Sequence, residues 1–567
     1  MNGADWAVLL GTIVGIAAYG FWRTRHVRSL NTYMRGDAAI GWGTIGLSVM
    51  ATQASAITFL SIPGQGFESG IGFVQNYFGL PLALIIVCAV FLPMYRRLNV
   101  YTAYEFLGRR FDDKTRLLGA GLFLVQRGLA AGVTIYAPAI IISTVLGWRL
   151  DLVVVFTGLL VLVYTVTGGS EAVALTHRWQ VAVIWAGMVT AMVVLLLRLP
   201  AGLGLTGAAH VAGALGKLQA VDFSLDPSRR YTVWTGVFGG LFLSLSYFGT
   251  DQSQVQRYIA GPSLRAGRLG LMFNAVLKIP MQFVILMLGA FLFVFYQFVP
   301  PPVFFNQAEW RLHAQDGRFR AIEAEHASAV AQSQSAIRGW LEARASADAA
   351  REAGARAAMV AASQHSRSIR AEAKAALAGA DPRAKTKDSD YVFITFILTQ
   401  LPHGAVGLLL AVMFSAALSS TASELAALGT TTTIDFWRHV RPLAADEARN
   451  VRVARRFTAL WGAVAVAFAL FAGFAENLIE AINILGSIFY GVLLGIFLVA
   501  FFLRRVGGSA VFLAAVAAQA LVIVMYFSLD IGYLWYNLIG CAACIAFSVA
   551  LQMVLPPRAP AGEGRAG

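Results

Sequence analysis

Apolar runs of about twenty residues recur along this chain, separated by short polar stretches. A helix rises about 1.5 Å per residue, so roughly twenty apolar residues cross the hydrocarbon of a bilayer. About thirteen such runs can be drawn: 5–22, 43–66, 72–95, 117–147, 150–168, 179–199, 232–250, 269–298, 403–433, 457–476, 479–503, 509–529 and 533–555. All are predicted helices, because a lipid-facing backbone must satisfy its own N–H and C=O groups. The alternating pattern of membrane barrel strands is absent. Residues 200–230 form a moderately polar link. Residues 299–390 are a much longer one, with an Ala-rich, mixed-charge centre and no proline between Pro302 and Pro382. That composition predicts long amphipathic helices, and Arg338 and Glu342 are spaced for an i,i+4 contact.

Three runs depart from a plain lipid-facing pattern. "ATQASAITFLSIPG" (51–64) carries Thr52, Gln53, Ser55, Thr58 and Ser61, then Pro63-Gly64. "AVMFSAALSSTASELAALGTTTTIDFW" (411–437) is rich in small residues and hydroxyls, and "YFGTDQSQVQRY" (247–258) ends an apolar run in polar groups. Polar clusters at membrane depth are tolerated where they line a cavity or a break in the helix, and a break frees main-chain carbonyls to bind a cation. A single serine in such a helix more often bonds back to the carbonyl four residues before it.

Composition supports the membrane reading. Hydrophobic residues make up 58% of the 567 and charged ones 13%, with a mean hydropathy of +0.66; a soluble domain carries about 25% charged residues. The net charge of +14 does not point to nucleic acid. Its basic residues fall in short loops such as "RTRHVR" (23–28), "GRRFDDKTR" (108–116), "FWRHVRP" (436–442) and "RVARR" (452–456), which marks those loops as cytoplasmic. The predicted N-terminus is then outside, the tail inside, and the protein sits in the cell (inner) membrane. Cys88, Cys541 and Cys544 are the three cysteines. The last two form C-x-x-C inside an apolar run, which reads as buried packing rather than a disulfide framework.

Charge inside a span is costly. An arginine at the bilayer centre costs about 2.5–3.5 kcal/mol or more, so it is functional or paired. Arg127 lies deep in "GLFLVQRGLAAGVTIYAP" (121–138). It is placed either to grip a substrate carboxylate in a bidentate fork or to pair with Asp251 or another buried acid. No cluster of acids, histidines and a nucleophile at one depth and no phosphate-binding glycine loop is present, which argues against an enzyme. No repeated pore-loop signature argues for a channel.

Several longer segments together carry a resemblance: "LSVMATQASAITFLSIPGQGF", "TIYAPAIIISTVLGW", "YTVTGGSEAVALTHRWQ", "FGTDQSQVQRYIAG", "LPHGAVGLLLAVMFSAALSSTASELAALGTTTTIDFW" and "GSIFYGVLLGIFLVAFF". Over roughly residues 5–505, apart from an insertion at 306–388, the chain resembles the sodium/solute symporter family. The resemblance implies an all-α membrane protein with ten core helices in two inverted five-helix repeats, core helices one (43–66) and six (232–250) being broken. It implies a leading helix in 1–30, core helices over 43–298 and 391–505, an extracytoplasmic insertion at 299–390, two further helices over 506–555, and a short tail at 556–567. The implied activity is sodium-coupled symport of a small organic solute by alternating access, with an anionic carboxylate favoured. The alternatives are a sugar or sialic-acid substrate, or a solute sensor of the same build.

The implied sodium ligands are the carbonyls of Ala51, Ala54 and Ala416 and the hydroxyls of Ser419 and Ser420. Thr52, Ser55 and Ser423 are the hydroxyls available to a second sodium. The implied solute contacts are Gln53, Thr58, Gln75, Asn76, Ser244, Tyr247, Phe248 and Asn483, with Arg127 joining them if it grips a carboxylate. Besides sodium, the implied partners are the solute and the lipid bilayer. One position departs from the family pattern: His177 stands where an aspartate is usual.

Overall fold

The structure, a computed structural model, describes residues 2–24, 41–53, 55–98, 100–200, 203–259, 261–346, 348–381, 384–441, 447–471 and 477–555, with some side chains inside helices, including that of Ser419, left undescribed. Among these residues the regular structure is helical, without strands. Seven helices are long and apolar enough to cross a membrane, and four shorter apolar helices accompany them. In chain order the main ones are α1 (Gly3–Thr24), α2 (Trp42–Gln53), α3 (Ala56–Ser69), α4 (80–98), α5 (Asp113–Leu146), α6 (Leu150–Leu197), α7 (Gly240–Gly249), α8 (Gln252–Ile259), α9 (Leu264–Phe298), α10 (Gly317–Ala345), α11 (Ala349–Ala380), α12 (Ala405–Thr431), α13 (Glu447–Ala469), α14 (Leu478–Phe502), α15 (Gly508–Ser528) and α16 (Trp535–Val554).

Of the three runs with polar clusters, 411–437 is continuous helix and the other two are broken. The first stops at Gln53 and restarts at Ala56, with Ser55 extended between them (φ −75°, ψ 174°). The second half, α3, runs through Pro63-Gly64 to Ser69. Gly64 serves close approach, since a Cβ there would meet the Ser389 carbonyl at 2.1 Å. In the other broken run α7 ends at Gly249, Thr250 and Asp251 leave the helix, and α8 resumes at Gln252. The 48-residue α6 would span about 72 Å if straight. Yet Asp151 near its start pairs with Lys385 (3.9 Å), and Arg198 at its end reaches the Gln400 carbonyl (3.4 Å) on the same side. His177 in its middle meets Ser48 of α2 at 3.0 Å, so the element returns to the side from which it starts.

Two glycine crossings fix α9 against both halves of the first broken helix. Near one end, Gly46 and Gly270 face each other: a Cβ on either would come within 3.0 Å of the other's backbone. Near the other, a Cβ on Gly289 would lie 2.2 Å from the Pro63 carbonyl, and one on Gly66 would lie 2.4 Å from that of Leu286. The two chains therefore run parallel and in register. Gln53 and Ser55 lie seven and nine residues beyond Gly46, and Lys278 lies eight beyond Gly270, which brings Lys278 level with the break.

The insertion forms a helical hairpin, α10 and α11, as its composition predicts. Val303, Phe304, Trp310, Phe319, Ile322, Ile369 and Leu377 give it a small core of its own. The Arg338–Glu342 contact does not form; both residues are exposed, and Arg344 reaches across to Glu352 instead (3.3 Å). Arg370 and Lys374 of α11 hold Asp388 (2.7 and 2.8 Å) and also lie against Glu68 at the end of α3 (3.5 and 3.8 Å). Lys217, from the 200–230 link, caps the same end of α3 by donating to the carbonyls of Phe67 and Glu68 (2.7 and 2.6 Å).

Two outcomes follow. Gly289→Val drives a side chain into the α3 backbone and costs about 1–3 kcal/mol or more, read as a lower melting temperature in detergent. Gly121→Ala, where a Cβ meets nothing within 4 Å, does not lower it. In the hairpin, burial and the nearby Arg370 push the His326 pKa from 6.5 to about 4. The folded insertion keeps this ring neutral while the unfolded chain protonates it below about 6.5, so its contribution is complete above pH 6.5 and fades as pH falls toward 4. The melting temperature of His326→Leu relative to the unaltered protein should therefore rise as pH falls across that window and stay constant above it.

Candidate functional site

The two breaks differ in how their freed carbonyls are treated. At the α7–α8 break, three fully buried tyrosines close them: Tyr258 donates to Phe248 (2.6 Å), Tyr95 to Gly249 (2.6 Å) and Tyr104 to Thr250 (2.9 Å). At the α2–α3 break, the Thr58 hydroxyl takes the Gln53 carbonyl at 3.0 Å. Among the described residues, no backbone N–H returns to the carbonyls of Ala51 or Thr52. One break is sealed by tyrosines, and the other has acceptors without a backbone partner among the described residues.

Asp251 sits in the sealed break and is heavily bonded. Its Oδ1 accepts from the backbone N–H and the hydroxyl of Ser253 (2.9 and 2.6 Å), and its Oδ2 accepts from Tyr490 of α14 (2.7 Å) and from the Arg127 guanidinium. Arg127 also donates to the Tyr490 hydroxyl and to Glu424 of α12 (3.1 Å), and lies 5.4 Å over the Tyr247 ring. Arg127 and Asp251 are 2% and 0% exposed. Of the two roles open to Arg127, the structure shows the buried pairing: its charge is committed to two carboxylates.

A cavity of about 100 Å³ lies between the breaks. Its walls carry Gln53, Thr58, Asn76, Arg127, Ser244, Tyr247, Phe248 and Asn483, eight of the nine residues anticipated for the solute. Gln75 is not among them. Its amide donates to the carbonyls of Gly72 and Tyr231 (3.2 and 3.1 Å) and accepts from the Asp222 N–H (3.0 Å), so it staples the link before α7 rather than facing the cavity. Asn483 Nδ2 and Gln53 Oε1 are buried without a protein partner.

Of the anticipated sodium ligands, Ala51 and Ala416 are buried, and the Ser420 hydroxyl donates to the carbonyls of Ala416 and Ala417 (3.1 and 3.2 Å). That back-bond uses the serine proton and leaves its oxygen lone pairs open to a cation. Ala54 and the side chain of Ser419 lie outside the described residues. His177 is buried, with Nδ1 on the Ser48 hydroxyl.

Among the cavity residues that sequence reasoning missed are Thr134, Lys278, Glu424 and Tyr490. Lys278 and Glu424 carried the same signal that marked Arg127, a charge within an apolar run. Lys278 is 2% exposed and, among the described residues, has neither a carboxylate in ion-pair range nor a hydrogen bond; the Tyr77 ring, 5.7 Å away, is its recorded contact. A buried lysine amine that lines a cavity without a counter-ion fits an anionic ligand, whose charge would offset the cost of keeping it protonated there.

Comparison with known proteins agrees with this architecture. The model of the Sodium:solute symporter family matches residues 33–304 and 343–517. The sodium/iodide cotransporter of Homo sapiens is 33% identical over 269 residues, 47% of this chain and 40% of that protein. The human sodium-coupled monocarboxylate transporter 1 is 34% identical over 275 residues, 48% and 45% of the two chains. The sodium-dependent multivitamin transporter of Oryctolagus cuniculus is 31% identical over 298 residues, 52% and 46%. The chain thus covers less than half the length of each of these relatives. A solved substrate-bound, outward-open Na+-coupled sialic acid symporter superposes with a TM-score of 0.74 over 98% of this chain and 99% of that one, at 20% identity, and so has the same fold. With most of its length matched to the family model, the chain belongs to the sodium:solute symporter family.

Proposed function

We propose that this protein carries a small organic anion into the cell together with sodium, by alternating access, its N-terminus outside and its tail in the cytoplasm. The observation that carries the sodium half is the unequal treatment of the two breaks. Tyrosines complete the break at Thr250–Asp251, whereas among the described residues no backbone N–H returns to the carbonyls of Ala51 and Thr52. A sodium ion held by the carbonyls of Ala51, Ala54 and Ala416 and the hydroxyls of Ser419 and Ser420 would bridge α2 to α12. It would fix the open break in one conformation and so raise the affinity of the adjacent cavity, which is positive coupling between two sites. Tyr247 and Phe248 then form the floor that keeps the solute from leaving inward.

Lys278 supports the anion. With Arg127 committed to Asp251 and Glu424, Lys278 is the cavity cation free to meet a carboxylate. Iodide and monocarboxylate, in the names of two relatives, are anions as well. A tenfold sodium gradient supplies about 1.4 kcal/mol per ion.

In proteoliposomes, uptake of short carboxylates should follow an imposed sodium gradient; uptake indifferent to sodium would overturn the reading. Lys278→Gln should lower that uptake about tenfold or more while the protein still elutes as a folded species, and Lys278→Arg should recover part of it. Arg127→Gln should behave differently. It leaves two buried carboxylates without their counter-ion at a cost of about 3–5 kcal/mol, seen as a collapse of melting temperature. Adding Asp251→Asn should restore part of that loss.

A further inference from the structure

Lys278 is the middle rung of a polar ladder. Asn274, Lys278 and Gln282 follow one another at four-residue spacing on α9, with exposures of 0%, 2% and 0%. Both amide atoms of Asn274 and both of Gln282 are buried without a protein partner. At about 100° per residue, Gly270, Asn274, Lys278, Gln282 and Gly289 fall within about 120° of the helix circumference. The ladder therefore shares the face on which the two glycine crossings press α9 against α2 and α3, and it lies between those crossings. A buried donor or acceptor left unmade carries the full desolvation penalty of that group. Four such atoms on one face of a membrane helix are a standing cost to the fold, and the packing alone does not explain their presence.

We propose that Asn274 and Gln282 are solute-handling residues that flank the Lys278 anion site and pass a carboxylate along α9. This rests on the anion reading given above and extends it. The chemistry suits the task. Gln282 Nε2, Lys278 Nζ and Asn274 Nδ2 are three donors spaced one turn apart, so a carboxylate displaced along the helix by about 6 Å exchanges one donor for the next. The crossings close both ends of the ladder in this conformation. Separation of α3 from α9 at Gly66–Gly289 bares the Gln282 end to the insertion side. Separation of α2 from α9 at Gly46–Gly270 bares the Asn274 end to the side of the basic loops.

The test is a pair of near-isosteric apolar substitutions, Asn274→Leu and Gln282→Met, in the full-length protein. If the amides serve the solute, each variant melts at the same or a higher temperature, because an orphaned polar group has been removed, yet transports a short carboxylate with a maximal rate lowered tenfold or more and with sodium binding unchanged. Unchanged transport with raised stability overturns the ladder, as does a fall in stability, which would show that the amides hold the fold. A second readout is independent of transport. With Cys88, Cys541 and Cys544 replaced, Gln282→Cys should react with an impermeant thiol reagent from the insertion side and Asn274→Cys from the opposite side. Protection of both from either side overturns the proposal. If Lys278→Gln itself leaves carboxylate uptake intact, the anion reading fails with it; if Lys278→Gln abolishes uptake while the amide variants transport normally, the ladder alone fails.

Discussion

The guanidinium of Arg127 is the fixed point of this protein. It brings together four parts of the chain that are distant in sequence: its own helix α5, Asp251 in the break before α8, Glu424 on α12 and Tyr490 on α14. In a low-dielectric interior none of these charges can be left alone, since removing one partner strands another at a cost of about 3–5 kcal/mol. The constraint is therefore mutual. Arg127 must reach Asp251, so the second broken helix must open at residues 250–251, and α12 and α14 must approach α5 at that depth. The tyrosines follow from the same requirement: once the helix opens there, the freed carbonyls of Phe248, Gly249 and Thr250 need donors, and Tyr258, Tyr95 and Tyr104 supply them.

A bundle pinned at one break can respond to ligands at the other. The α2–α3 break, through Thr52 and Gln53, and Lys278 of α9 line the same cavity. Neither the Ala51 and Thr52 carbonyls nor the Lys278 amine has a hydrogen-bond partner from the protein among the described residues, so each gains from a ligand. A cation at the carbonyls and an anion at Lys278 also offset one another's charge, and each lowers the cost of binding the other. Coupled transport needs this kind of linkage, a difference in ligand affinity between states rather than a preference built into the protein alone.

Much of this architecture is legible in the amino-acid sequence. The polar cluster at 51–64 points to a broken helix, because lipid does not tolerate it in a continuous one, and the alternatives for Arg127 include its observed partner. The charge rule that singles out Arg127 also reaches Lys278 and Glu424, which lie in apolar runs, but hydroxyl-rich surroundings draw attention to Ser419 and Ser420 instead. Other features are hidden from sequence reasoning. Tyr95, Tyr104 and Tyr258 look like ordinary buried aromatics until the break they cap is located. Gln75 sits beside Asn76, but the π turn that begins the approach to α7 and the close packing at Gly236 carry it away from the cavity: a Cβ on Gly236 would meet the Gln75 carbonyl at 2.0 Å. The close approach that Gly64 permits is hidden as well, because its partner, the Ser389 backbone, is more than three hundred residues further on.

The ion pairs also rank the places where this bundle yields. Over the insertion-side end of the cavity, Glu480 of α14 accepts from Gln65 of α3 (3.5 Å), Arg230 (3.1 Å) and Tyr231. Glu68 meets Arg370 and Lys374 nearby. The Arg230 and Glu68 side chains are 51% and 36% exposed, against 3% and 0% for Arg127 and Asp251. Pairs in contact with water are worth about 0–1 kcal/mol each, because water replaces the lost partner; water cannot do so at Arg127. An opening toward the insertion that broke the rim contacts and kept the Arg127 hub would therefore cost less than one that broke the hub. The insertion enters this balance through α11, whose Arg370 and Lys374 add two rim contacts to α3.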